Sequence, residues 1–449
     1  MRADAQAGDE LPRGQVIEKV VCRADSSQSY ALYLPSAWMP GTHLPILYCF
    51  DPGARGKVPV ELFSEAAEKY GWIVVGSNNS RNGPNVPLNS IIATLWQDTR
   101  ERFAPDDRRA YTAGFSGGAR VASSFAIASK GGIAGVIACG AGFPYAQTPD
   151  RDARFAFLGL AGLEDFNLIE LHELEPALDK AGFTHQLITF DGNHSWPPKA
   201  VCTEAVEWME AQSFKSGLRA RDEKLMADLY AAGLARAQRF EQDARLYDAW
   251  LRYQLLAESF RGLRDVSEAS QQAQRLKAAK EVKAASRQLK EMDQQQNLRA
   301  REFFTTFEAV RSADLRTQGM SDLRRMIADL RKQSEAQNQS GERTVARRLL
   351  TQFFIASSEG ATQDSFQKNY AQAALRLTIA AEIRPDNPQV HYRLAAACAQ
   401  SGDRKQAIES LRRAIAAGFN DLSRLAQAPE FSSLHEDKEF KSLLEQKKQ

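Results

Sequence analysis

The chain has 449 residues, 25% of them charged, and its 58 Lys and Arg nearly cancel its 56 Asp and Glu, for a formal charge of +2. That length exceeds one ordinary core, so two or three domains are expected, and nothing in the balanced charge argues for a nucleic-acid or membrane-surface partner, so none is expected. No apolar run approaches the roughly 20 residues that cross a bilayer, and residues 1–14 are polar with no signal-peptide core, so the chain as given reads as cytoplasmic without a membrane span, an exported mature form whose leader was replaced by Met1 being the alternative.

From about Gln15 to Gln212, apolar strand-like runs alternate with helical stretches. Gly14 to Leu34, with its Val/Tyr alternation, predicts an antiparallel edge hairpin. Leu44–Phe50, Gly71–Gly76, Ala110–Ala113, Ile133–Cys139, Arg154–Gly159 and His185–Phe190 each read as a buried strand. Amphipathic helices are expected between them, among them Val60–Tyr70 and Leu168–Ala181. Strand and helix in regular succession predict a doubly wound, mostly parallel sheet covered on both faces, an α/β domain over 15–212. After about Ser213 Pro and Gly thin out and Ala, Gln, Arg, Leu, Lys and Glu take over, which predicts an all-α remainder: a helical region over 213–343, with helical spacing at Leu246, Ala249, Tyr253 and Leu256, and a repeat region over 344–449. There Ala373, Leu377, Ala380 and Pro385 recur about 34 residues on as Ala407, Leu411, Ala414 and Phe419. Leu394, Ala395 and the turn Ser401-Gly-Asp403 complete the second copy.

The five cysteines (Cys22, Cys49, Cys139, Cys202, Cys398) are scattered, with no Cys-x-x-Cys and no His at ligand spacing. This argues against a disulfide framework and against structural zinc; the thiols read as small buried hydrophobes, and no metal or cofactor is expected.

Gly114-Phe-Ser-Gly-Gly118 sets Ser116 between a β-prone segment and an Ala-rich helical one. A serine on a sharp strand-to-helix turn needs small neighbours, and the amide of Gly117, at a helix N-terminus, then faces a developing oxyanion. A serine hydroxyl is a poor nucleophile near neutral pH and needs a base, which in turn needs an orienting acid. Of the histidines that follow in this domain, His172 falls inside a helix and His185 opens a strand, whereas His194 stands in the loop Asp191-Gly-Asn-His-Ser-Trp-Pro-Pro198 after a strand. The acid is expected after the preceding strand, in the loop Leu160–Asn167, which offers Glu164 and Asp165; Asp191 is a weaker alternative because it opens the histidine loop itself. The second oxyanion donor is expected in Phe50-Asp-Pro-Gly-Ala-Arg-Gly56, where Pro52 has no N–H, so Asp51, Gly53 and Ala54 remain open; Arg55 is expected to pair with Asp51. The polar loop Ser77–Pro84, including Arg81, is a candidate pocket lining, as is Phe115 beside the serine.

Gly114–Gly118, Gly162–Asp165 and Asn193-His-Ser-Trp-Pro197 together resemble the α/β-hydrolase superfamily, in particular compact esterases similar to feruloyl esterases and polyhydroxybutyrate depolymerases. The loop 50–56 departs from the His-Gly loop of many such esterases. The resemblance implies a metal-free esterase cycle in which Ser116 attacks an ester carbonyl, His194 relays the proton, Asp165 orients the base and water cleaves the acyl-enzyme. It also implies that Trp196 lines the pocket. The short stretch between Cys139 and Arg154 leaves little room for a lid, which suits a bulky or polymeric ester. The repeat spacing resembles the tetratricopeptide repeat and implies a protein or peptide partner. Two other readings stay open: an interaction protein with a vestigial hydrolase domain, and a peptidase or thioesterase on the same triad.

Overall fold

The computed structural model describes residues 11–144, 147, 153, 155–312, 314–337 and 340–445. Residues 1–10, the expected strand start at Arg154 and the last residues of the expected repeat region, 446–449, lie outside these. The chain divides into two compact units, the first holding the chain up to Asn82 and Val86–Lys290, the second Gly83–Asn85 and Glu291 onward.

The first unit is built on eight strands: β1 (Val16–Val21), β2 (Ser29–Tyr33), β3 (Ile46–Phe50), β4 (Ile73–Ser77), β5 (Ala110–Phe115), β6 (Gly135–Cys139), β7 (Ala156–Glu164) and β8 (His185–Asn193). Their order across the sheet is β1-β2-β4-β3-β5-β6-β7-β8. The strands from β4 to β8 run parallel, and β2 lies antiparallel between β1 and β4. The expected hairpin therefore extends the sheet, with Tyr30 and Leu32 in its core. β3, β4, β5 and β6 are buried at every position, which is why they read as unbroken apolar runs rather than alternating ones.

Five helices complete the α/β layers: α1 (Lys57–Tyr70), α2 (Leu88–Phe103), α3 (Gly117–Ala128), α4 (Leu168–Ala181) and α5 (Lys199–Lys215). The sheet packs an apolar cluster on each face, one with Ala119, Ala122 and Leu171, the other with Val60, Phe63, Val206 and Met209. This strand order, with a nucleophile-elbow turn after β5, is the α/β-hydrolase fold.

Three further helices, α6 (Glu223–Gln242), α7 (Leu246–Phe260) and α8 (Ser267–Ala278), belong to the same unit, which runs on well past the expected boundary at 212. They share a core with Ala211 and Phe214 of α5. As a result α5 is buried nearly all round, its carboxylates included. Glu204 pairs with Arg252 of α7 at 2.8 Å, Glu207 with Arg236 of α6 at 2.6 Å, and Glu210 accepts from Trp72 Nε1 and Arg219 at 2.6 and 2.7 Å. Charges taken out of water are tolerated only when paired in this way.

The second unit is helical: the later part of α9 (Lys280–Val310), then α10 (Arg316–Ser334), α11 (Gly341–Phe366), α12 (Tyr370–Ile383), α13 (Pro388–Ser401), α14 (Arg404–Ala416), α15 (Leu422–Gln427) and α16 (Lys438–Glu445). Asn387 caps α13, Pro388 opens it, and Gly402 closes it; Asp403 then caps α14 by accepting from the Gln406 N–H. The repeat positions Ala373, Leu377 and Ala380 on α12 and Ala407, Leu411 and Ala414 on α14 are all buried. Small residues there let the paired helices approach closely. Phe419, where the first copy has Pro385, stacks on Tyr392 at 4.8 Å.

Candidate active site

The turn from β5 into α3 puts Ser116 at φ 53° and ψ −120°. A side-chain-bearing residue occupies that region only when its surroundings enforce it. Here they do. The Ser116 N–H donates to Cys139 O at 2.8 Å, and the elbow folds on itself so closely that a Cβ on Gly114 would sit 2.0 Å from Gly118 O, and one on Gly118 2.0 Å from Phe50 O. Gly117, the first residue of α3, has no intrahelical acceptor for its N–H, and the partial positive charge of the helix terminus gathers at that end.

β7 and β8 run several residues further than their apolar cores suggest, and the ends of both converge on the serine. His194, directly after β8, places Nε2 2.9 Å from Ser116 Oγ and Nδ1 2.8 Å from Asp165 Oδ1. A carboxylate only accepts, so Nδ1 carries the proton in the neutral ring and Nε2 is left to accept from the serine hydroxyl. Asp165 is fully buried and its Oδ1 also accepts from the Asn167 N–H at 2.8 Å, while Asn167 Nδ2 donates to Gly140 O at 2.7 Å. The rings of Phe115 and Phe166 lie 4.7 and 4.4 Å from that of His194 and limit its movement.

The alternative residues sit elsewhere. Glu164 ends β7, paired in register with Asn193. Asp191 is held by Arg245 at 2.5 and 3.0 Å. His185 Nδ1 donates to Phe183 O at 3.1 Å, and His172 lies within α4.

The loop after β3 faces the elbow. The expected pairing of Arg55 with Asp51 is present, Nε to Oδ1 at 2.8 Å and Nη2 to Oδ2 at 2.9 Å. Gly53, expected among the oxyanion donors, gives its N–H to Asp51 Oδ1 at 2.8 Å, and Ala54 gives its own to Asp51 O at 3.1 Å. A committed amide cannot serve a transient anion without first breaking its bond. This leaves the Asp51 N–H, which has no acceptor among the described residues and lies 3.4 Å from where a Gly118 Cβ would stand.

Trp196 turns its indole N–H onto Asp51 Oδ2 at 2.8 Å and its ring toward Phe115, with centroids 5.9 Å apart. Arg81 is exposed, and its backbone bridges to Gly53. Three residues here were not singled out from the sequence. Asn82 lies so close to the elbow that a Cβ on Gly117 would meet its Oδ1 at 1.9 Å. Asn167 braces the acid. Gly140, at φ +62°, could not carry a Cβ without placing it 2.7 Å from Asp165 Oδ2 and 3.2 Å from His194 Nδ1. Asn82 fell inside the loop already suspected; no periodicity marks the other two.

Cys49, Cys139 and Cys202 are fully buried, and burial pushes all three thiols up, away from the reactive thiolate form. Among the described residues no group of His, Cys, Asp or Glu is placed to hold a metal ion.

No curated protein matches the chain. Among solved structures it is similar to an S-formylglutathione hydrolase from Staphylococcus aureus, with 15% identity over 40% of this chain and 90% of that one and a TM-score of 0.34. It is also similar to a ferulic acid esterase, with 16% identity over 43% and 97% and a TM-score of 0.35. A fluorophosphonate-binding serine hydrolase from Staphylococcus aureus shows 14% identity over 44% and 99%, with a TM-score of 0.37. Residues 367–428 match the tetratricopeptide repeat family model. The first unit thus has the α/β-hydrolase fold, and the helical second unit carries a stretch that matches the tetratricopeptide repeat.

Proposed function

We propose that this protein is a serine hydrolase acting on carboxylic esters through an acyl-enzyme. The observation that carries this reading is the continuous relay Asp165–His194–Ser116, at 2.8 and 2.9 Å, on an elbow whose serine sits in the left-handed region. His194 takes the hydroxyl proton as Ser116 attacks the carbonyl, and Asp165 stabilises the imidazolium that forms without taking the proton itself. The amides of Gly117 and Asp51 receive the oxyanion. His194 then returns the proton to the leaving alcohol, and water repeats the sequence on the acyl group. The protein is expected to turn over p-nitrophenyl acetate and butyrate and to be phosphonylated by a fluorophosphonate at Ser116, as read by peptide mass spectrometry. A folded protein that does neither returns the hydrolase unit to the role of a scaffold.

The repeat is read as the surface for a protein or peptide partner. The helical unit has a cavity of 680 Å³ lined by Arg324, Thr378, His391, Gln406 and Arg413 among others. A displayed peptide library panned on the protein is expected to enrich sequences that no longer bind when Thr378→Trp fills this groove. Enrichment indifferent to that change would put the binding surface elsewhere, and no enrichment at all would remove the reading.

A further inference from the structure

We propose that the Asp51 carboxylate is the positioning residue of this site, a single buried anion that ties the loop presenting the Asp51 amide to the loop carrying His194. The proposal rests on the serine-hydrolase reading above and adds to it a residue whose side chain never touches substrate.

Asp51 is fully buried. Its Oδ1 accepts from Gly53 N–H and Arg55 Nε at 2.8 Å each and, more loosely, from Arg55 N–H at 3.4 Å; its Oδ2 accepts from Arg55 Nη2 at 2.9 Å and Trp196 Nε1 at 2.8 Å. The first set of bonds folds residues 51–55 around the carboxylate. This matters because Pro52 has no N–H of its own to hold the loop. The Trp196 bond reaches across to the segment after β8. Trp196 is two residues beyond His194, stands edge-on to Phe63 at 6.5 Å and leans on Phe115, which in turn packs against the His194 ring. One anion therefore sets the direction of an oxyanion amide on one side and the seat of the general base on the other.

The charge requires its own explanation, since a bare carboxylate next to an oxyanion donor would repel the anion that forms there. Arg55 removes that repulsion. Burial disfavours the Asp51 charge, but the hydrogen bonds from Arg55, Trp196 and Gly53, together with the Arg55 cation, outweigh it and hold the carboxyl below its ordinary range. The pair is neutral overall. The Arg55 side chain is 60% exposed, so it can be replaced without opening the core.

The test measures kcat and KM on p-nitrophenyl butyrate, and the Ki of phenylboronic acid, for wild type, Asp51→Asn, Arg55→Gln, Trp196→Phe and Asp51→Asn/Arg55→Gln. Rates are counted per site titrated with a fluorophosphonate, so that loss of folded protein does not register as loss of rate. Asp51→Asn turns an amide donor toward Trp196 and Arg55, and is expected to lower kcat about 10- to 100-fold, less than outright loss of an oxyanion donor, with KM within about threefold and boronate affinity falling with kcat. Arg55→Gln leaves the anion unneutralised and is expected to cost about tenfold in kcat, whereas adding it to Asp51→Asn is expected to cost less than about twofold more, because no buried charge is left to neutralise. Trp196→Phe, which deletes the N–H donor, is expected to lower kcat about three- to tenfold.

Asp51→Asn with a per-site kcat within threefold of wild type overturns the proposal. If that variant does not fold, Arg55→Gln and Trp196→Phe decide, and both remaining within twofold overturns it equally. A wild-type protein that is neither active nor labelled at Ser116 instead sinks the hydrolase reading.

Discussion

Ser116→Ala is expected to lower kcat on p-nitrophenyl butyrate by about 10⁴- to 10⁶-fold, to abolish fluorophosphonate labelling, and to leave KM nearly unchanged. Only the hydroxyl that His194 Nε2 meets at 2.9 Å is removed. The strained backbone, the amides of Gly117 and Asp51 and the braced imidazole all remain, so ground-state binding persists while the covalent path is closed. Stability is expected to change by no more than about 1 kcal/mol, because alanine occupies the same left-handed φ with the same Cβ and only the single Ser116–His194 hydrogen bond is lost. The variant therefore separates chemistry from folding. Activity that survives it would dismiss the acyl-enzyme mechanism, whatever the fate of the fold.

The second large effect concerns stability. Arg252→Met is expected to destabilise the first unit by about 3–5 kcal/mol, the usual consequence of stranding one partner of a buried ion pair. Arg252 and Glu204 side chains are each 4% exposed and meet at 2.8 Å, and Arg252 Nη2 also donates to Thr189 O of β8 at 3.1 Å. After the change the ion partner left to Glu204 among the described residues is Arg236, at 3.7 Å. Urea unfolding of the single variant and of Glu204→Gln/Arg252→Met reads the effect, and the double variant is expected to recover much of the loss because the stranded charge is gone. A single-variant loss below about 1 kcal/mol would mean that water reaches the pair and that α7 is only loosely joined to the sheet. The same pair bears on chemistry through β8, since the strand that Arg252 grips leads into His194.

Much of the fold is legible in the chain because buried parallel strands need apolar residues on both faces. The runs at Leu44–Phe50 and Ile133–Cys139 contain β3 and β6, and Leu168–Ala181 is α4 residue for residue. The far ends of β7 and β8 escaped, since Gly162, Glu164, Gly192 and Asn193 carry no strand signal and are drawn into the ladder by their neighbours. The place of β2 between β1 and β4 was equally hidden, because local alternation identifies a hairpin but not the strand it will pair with.

The candidate site divides along similar lines. Ser116, Asp165 and His194 stood out because each is a polar, chemically competent residue in a Gly-rich turn after a predicted strand. The loop after β3 offered a list of candidate amides, and the hydrogen-bond pattern reduced it by committing Gly53 and Ala54.

By itself the sequence determined the order of strands and helices, the elbow, the order of Ser116, Asp165 and His194 on loops after strands and the small-residue repeat near the chain's end, all of which depend on neighbours within a few residues or on a fixed period. Only the tertiary structure decided that α6–α8 share a core with the hydrolase helix α5, that Gly140 must have no side chain, and that Asp51 joins two loops 145 residues apart. Those facts depend on which buried charge meets which donor across the fold, and no local pattern records a partner that the chain reaches only after it has closed on itself.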